Sequence, residues 1–135
     1  MLFDQPIQFP IRQWQEGEGR CQITLIILDT GFGVQGLLIG GEKPHVGGQV
    51  LAVPRKSLRG EGWSCDTYIT PVPGHKDTEV ARTVAELLSC ELQLPVAVTA
   101  GIHSDHLSAE ELKEILTLCN SLSQKAVDFL KSAHL

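Results

Sequence analysis

The sequence is poor in aromatic residues, 5% of 135, and has no run of lysine or arginine. So few rings cannot build a platform on which successive bases stack. Without a basic run, and with a net charge of −5 and an isoelectric point near 5.4, nothing concentrates on phosphate backbones or an anionic membrane surface. No stretch reaches the ~18 consecutive apolar residues of a membrane span. Met1, Leu2, Phe3 and Asp4 lack the basic start and apolar core of a secretory signal, so the cytoplasm is the expected compartment. The cysteines, Cys21, Cys65, Cys90 and Cys119, form no C-x-x-C pair, which excludes a zinc ribbon or thioredoxin-type motif and favours reduced structural thiols. A P-loop and a G-x-S-x-G nucleophile elbow are also absent. What is present is ordinary globular composition, 42% apolar and 20% charged. A chain of this length buries about two-thirds of its unfolded surface around one core, so a single domain over residues 1–135 is expected.

The first half reads as strands. Residues 6–14 are mixed, and residues 15–19 form a polar, glycine-containing break. Residues 21–28 are dense in aliphatic side chains, including Ile23, Leu25 and Ile27, and predict a strand; 34–39, 46–53 and 63–70 predict three more. The short turns between them favour an antiparallel meander. Two helices follow, with a short apolar strand over 95–100 between them. Over 76–92, Val80, Ala81, Val84, Ala85, Leu87, Leu88 and Leu92 share one face while Glu79, Arg82, Glu86 and Ser89 fall opposite. Asp77 is the expected N-cap and Pro95 the stop. The last helix opens on a capping box, Ser108 with Glu111, with Leu107 and Leu112 as a hydrophobic staple. Its stripe is Leu112, Ile115, Cys119, Leu122, Ala126, Phe129 and Leu130. His134 falls in a C-terminus expected to fray. The fold class is therefore α+β: an antiparallel-rich β-sheet from the N-terminal half, followed by helix–strand–helix packing on one face. The 76–92 helix can serve as the crossover of a βαβ unit linking strands 63–70 and 95–100. A homodimer is the base-rate assembly, since closed two-fold pairs are the commonest oligomers.

Three loops set histidine beside glycine at strand ends: Gly41, Lys43, His45 and Gly47 in the first, Gly74, His75, Lys76 and Asp77 in the second, Gly101, His103 and Asp105 in the third. Loops on a rigid scaffold are where binding groups collect. Glycine permits positive φ and close approach of a ligand to the backbone. Gly74 precedes a helix whose first amides lack internal partners; with Lys76 beside them, this end suits an anion. The bland reading is a tight turn at Gly74, a plain cap at Asp77, and histidines bonded to neighbouring carbonyls. A metal reading uses His103, Asp105 and His106, with His45 or His75 brought in by folding. Against it, H-x-x-H outside a helix fixes no geometry. Trp14, Trp63 and Tyr68 on predicted strands read as packing.

The segments Gly41–Gly47 with Leu51–Arg55, Pro73–Asp77 and Ala100–Asp105, in that order, resemble the small D-type subunit encoded with non-oxidative hydroxyarylic-acid (gallate-type) decarboxylases, the prenylated flavin chaperone-like family. The resemblance runs from about Ile23 to the last helix. It implies an accessory protein rather than a decarboxylase. Its partner would be a large subunit that uses prenylated FMN on aromatic or unsaturated acids, and its task cofactor handling or enzyme maturation. On that reading Gly74 and Lys76 take the FMN phosphate, and His45, His75 and His103 contact ring or phosphate; no catalytic set carries over. Two other classes stand beside it: a small histidine-cluster enzyme, metal-dependent or not, acting on a phosphorylated or carboxylated metabolite, and a purely structural assembly subunit.

Overall fold

Burial alternates strictly along the second strand: Ile23, Leu25 and Ile27 are buried, and the residues between them are half-exposed. One face of this strand is therefore buried and the other partly open among the described residues. The computed structural model describes residues 9–74 and 76–134. Its strands are β1 (Ile11–Glu16), β2 (Ile23–Asp29), β3 (Val34–Gly41), β4 (Gly48–Lys56), β5 (Trp63–Pro71) and β6 (Val96–His103). Its helices are α1 (Thr78–Leu92), between β5 and β6, and α2 (Ala109–Ala133) at the end. The fold is α+β, with both helices against one face of the sheet: α1 on β4, β5 and β6, α2 on β1 and β2, and each against the other.

The sheet order is β1-β2-β3-β6-β4-β5, and this corrects the expected meander. β1, β2 and β3 are antiparallel neighbours, as are β4 and β5, but β6 inserts between β3 and β4, parallel to the first and antiparallel to the second. Burial explains the choice, because Val96, Val98 and Ala100 are fully buried and suit a strand with neighbours on both sides. β5 and β6 run in the same direction with β4 between them, so α1 is the crossover of a βαβ unit that spans one intervening strand. Gly31, Gly33 and Gly36 carry G-x-G-x-x-G spacing, but they lie on the β2–β3 hairpin rather than at a helix start, where that motif holds a dinucleotide.

β1 was hidden in the mixed and polar segments of the sequence. It is an edge strand whose Gln13 and Gln15 face away from the helices, while Trp14 turns inward and meets Phe129 edge-on at 5.8 Å between centroids, with the Arg12 guanidinium over the Phe129 ring at 4.9 Å. Both helical stripes reach the core: Ala81, Val84, Ala85 and Leu88 from α1, and Ile115, Cys119, Leu122, Ala126 and Leu130 from α2. Burial pushes the Cys119 thiol up to about 12, so it packs as a neutral small hydrophobe. The C-terminus departs from its expectation: His134 Nε2 lies 2.8 Å from Asp29 Oδ2, and the His134 amide donates to the Leu130 carbonyl at 3.0 Å. Among the described residues, no helix is long and apolar enough to cross a membrane.

Candidate functional site

β3, β5 and β6 point the same way, so the three histidine–glycine loops open at one edge of the sheet. The β3–β4 connection crosses the end of β6 and is sewn to it. The amides of Lys43, His45 and Gly47 donate to the carbonyls of His103 (3.0 Å), Gly101 (3.3 Å) and Ala100 (2.8 Å). What approaches the glycines is thus the protein's own chain. A Cβ on Gly101 would sit 1.5 Å from the His45 carbonyl oxygen, one on Gly47 1.9 Å from Asp77 Oδ2, and one on Gly41, at φ +77°, 2.4 Å from the His103 carbonyl oxygen.

Asp77 occupies the N-cap position of α1, but its side chain makes no capping bond, which corrects the expected role. It points down onto the sheet instead. Oδ1 accepts from the Ile102 amide at 2.8 Å, and Oδ2 lies 3.1 Å from His45 Nε2. The other ring nitrogen of His45, Nδ1, is 2.9 Å from the Lys43 carbonyl oxygen. A nearly buried carboxylate therefore ties the start of α1 to β6 and to the crossing loop, and its charge is taken up in that tie rather than by helix amides. His103 stands 6.1 Å from His45 between ring centroids. Its Nε2 is 2.9 Å from Asp105 Oδ1, while Lys43 Nζ donates to Asp105 Oδ2 at 3.3 Å. His103 and then Lys43 hold the Asp105 carboxyl below its usual range.

A cleft of about 700 Å³ opens beside this array, between the start of α1, the end of β6 and the first half of α2. Gly74, Lys76, Asp77 and His103 line its polar end, with Glu79 alongside. Ile102, Leu107, Leu112, Ile115 and Leu116 form an apolar wall. Leu112 and Leu116 are 51% and 46% exposed, so the supposed staple residue Leu112 faces the cleft rather than the core. Of the residues singled out from the sequence, Gly41, Lys43, His45, Gly47, Gly101 and Asp105 stand behind this cleft and shape it rather than line it. His75 lies outside the described residues. Among the described residues, no group of three or more His, Cys, Asp or Glu is placed to hold a metal ion.

Arg20 was not anticipated. Its guanidinium forks onto Glu111, Nε to Oε2 at 2.7 Å and Nη2 to Oε1 at 2.9 Å, and also donates to the carbonyls of Asp105 (2.8 Å) and His106 (3.0 Å). It thereby fixes the turn that carries His106 at φ +53° and leads from His103 into α2. Glu111 also completes the predicted capping box with Ser108. Arg20 first, then the Ser108 amide, hold its carboxyl down to about 2. A carboxyl depressed in the folded state adds stability that is complete above its ordinary value of 4.5 and lost as pH falls toward about 2. The melting-temperature difference between wild type and Glu111→Gln is therefore expected to shrink across that window. A difference that does not change with pH would show that the Arg20 fork contributes nothing there.

Two comparisons give matches. Residues 17–131 match the model of the prenylated flavin chaperone LpdD-like domain. A solved structure described as a novel chaperone complex for yeast 20S proteasome assembly contains a chain of the same fold. The TM-score is 0.55 at 15% identity, over 93% of this chain and 98% of that one. No curated protein matches the sequence significantly.

Proposed function

The chain belongs to the prenylated flavin chaperone LpdD-like family, and from that premise we propose that it is a non-catalytic accessory protein that holds prenylated FMN in the cleft between α1, β6 and α2 for a prenylated-FMN-dependent decarboxylase. The observation that carries this reading is the cleft's division into a polar end and an apolar wall. Its volume of about 700 Å³ falls within the ~300–1,000 Å³ of small-molecule sites, which combine mostly apolar walls with a few placed polar groups. Leu107, Leu112, Ile115 and Leu116 offer apolar surface to a prenylated ring system. Lys76 and the α1 amides, left uncapped by Asp77, suit the phosphate. His103 stands at the polar end, braced by Asp105. The carboxylates of Asp77 and Glu79 at the same end confine a dianion to the Gly74–Lys76 side. When bound, the cofactor would bring its decarboxylation chemistry to the partner enzyme; this chain's part is to bind it, orient it and shield it from water.

The test is an anaerobic titration of prenylated FMN into the purified protein, followed by flavin absorbance and fluorescence, with FMN run in parallel. Binding is expected, and tighter for the prenylated form. Lys76→Ala is expected to weaken it by about 1–3 kcal/mol, the worth of a charge-assisted hydrogen bond. Unchanged affinity in Lys76→Ala would remove the phosphate role, and no spectral change with wild type would remove the holding function.

A further inference from the structure

The helices cover one face of the sheet; among the described residues no element covers the opposite face. The strand registers place its side chains in rows that cross the whole sheet. One row runs Ile11, Leu28, Gln35, Ala97, Leu51, Tyr68, from β1 to β5. The next runs Gln13, Ile26, Leu37, Thr99, Gln49, Thr70. Neither row contains a charged residue, in a chain of net charge −5. The exposed apolar side chains sit at its two ends: Ile11 is 57% exposed on one side, Leu51 39% and Tyr68 61% on the other. Near the β1 end lies a hollow of about 360 Å³ walled by Ile11, Leu28 and Leu37.

We propose that this face is a homodimer interface, packed against the same face of a second copy of the chain. Self-association is favoured over a differently charged partner because the rows are neutral. Two copies meet along these rows without a like-charge cost. The size also suits a pair. Six strands at ~4.8 Å spacing and about six residues of ~3.3 Å each give a flat projection on the order of 500 Å². Protruding side chains raise the accessible area above that projection, toward the ~800 Å² per partner of a standard interface. The shape is self-complementary about a two-fold axis that lies between the two sheets, parallel to the strands and over the β3–β6 seam. That rotation lays Tyr68 and Leu51 of each copy over Ile11 and Leu28 of the other, with the Tyr68 ring opposite the hollow, as an isologous contact requires. The result is a sheet-on-sheet sandwich with the helices outside, and it leaves the flavin cleft, on the helix side, open.

Light scattering on the full chain tests this. Wild type is expected at twice the chain mass. Leu51→Glu and, separately, Tyr68→Lys are expected at the single-chain mass with unchanged circular dichroism. Leu112→Glu, on the cleft wall, is expected to remain at twice the mass. Tyr68 is exposed on an edge strand, so Tyr68→Lys carries the test should Leu51→Glu misfold. A monomeric wild type overturns the proposal and leaves the face to a different protein. A dimer that survives both sheet-face substitutions, or that Leu112→Glu alone breaks, overturns it as well.

Discussion

Gly101→Ala is expected to cost at least about 3 kcal/mol of unfolding free energy, the upper end for overpacking a site that cannot yield. The new methyl would lie 1.5 Å from the His45 carbonyl oxygen and 2.2 Å from its carbon. Both atoms are backbone, so no side-chain rotation relieves the clash. The crossing loop must lift off β6, and with it go the bonds from Lys43, His45 and Gly47 to that strand. Gly74→Ala is the control. Gly74 has φ +83° but nothing within 4 Å of an added Cβ, so only the left-handed backbone penalty of about 1–2 kcal/mol applies. Urea unfolding of the two variants separates crowding from conformation. A Gly101→Ala midpoint no lower than that of Gly74→Ala would mean that the loop does not rest on β6 as described.

That contrast marks where sequence reading stops. The two helices were legible because their signals are local: apolar residues at 3.6 spacing, and a Ser108–Glu111 cap three residues apart. The position of β6 was not, because an apolar run reports burial on both faces but not which strands lie beside it. The three loops were legible as a group, and the topology explains why they open side by side, since β3, β5 and β6 run the same way. Gly41, Gly47 and Gly101 are approached by the protein's own chain, and nothing in the composition of a loop distinguishes a ligand from a neighbouring strand. Arg20 was out of reach, for its carboxylate partner lies 91 residues away. The cleft did leave a trace: Leu116 falls outside the core stripe of α2 and, with Leu112 one turn before it, gives that helix more apolar surface than its packing uses.

Asp77 joins these threads, and its substitution has the second of the large expected effects. Replacing it with Ala leaves the Ile102 amide, now 2.8 Å from Oδ1, without that acceptor at a site where the carboxylate is 8% exposed. An unsatisfied buried donor costs about 1–3 kcal/mol. His45 loses its 3.1 Å contact in the same step, so the start of α1 is released from both β6 and the crossing loop. Asp77→Asn separates the two roles, because the amide oxygen still accepts from Ile102 while the negative charge facing His45 is gone. Most of the lost stability is therefore expected to return in Asn, measured by urea unfolding. Prenylated FMN titration should detect the rest: Asp77→Ala loosens the helix start that forms the polar end of the cleft, whereas Asp77→Asn keeps that end in place and removes a negative charge beside the phosphate position. If Ala and Asn variants unfold together at the wild-type midpoint, Asp77 does not fasten the helix to the sheet. If they unfold together well below it, the contact with His45 rather than the bond from the Ile102 amide is what the carboxylate serves.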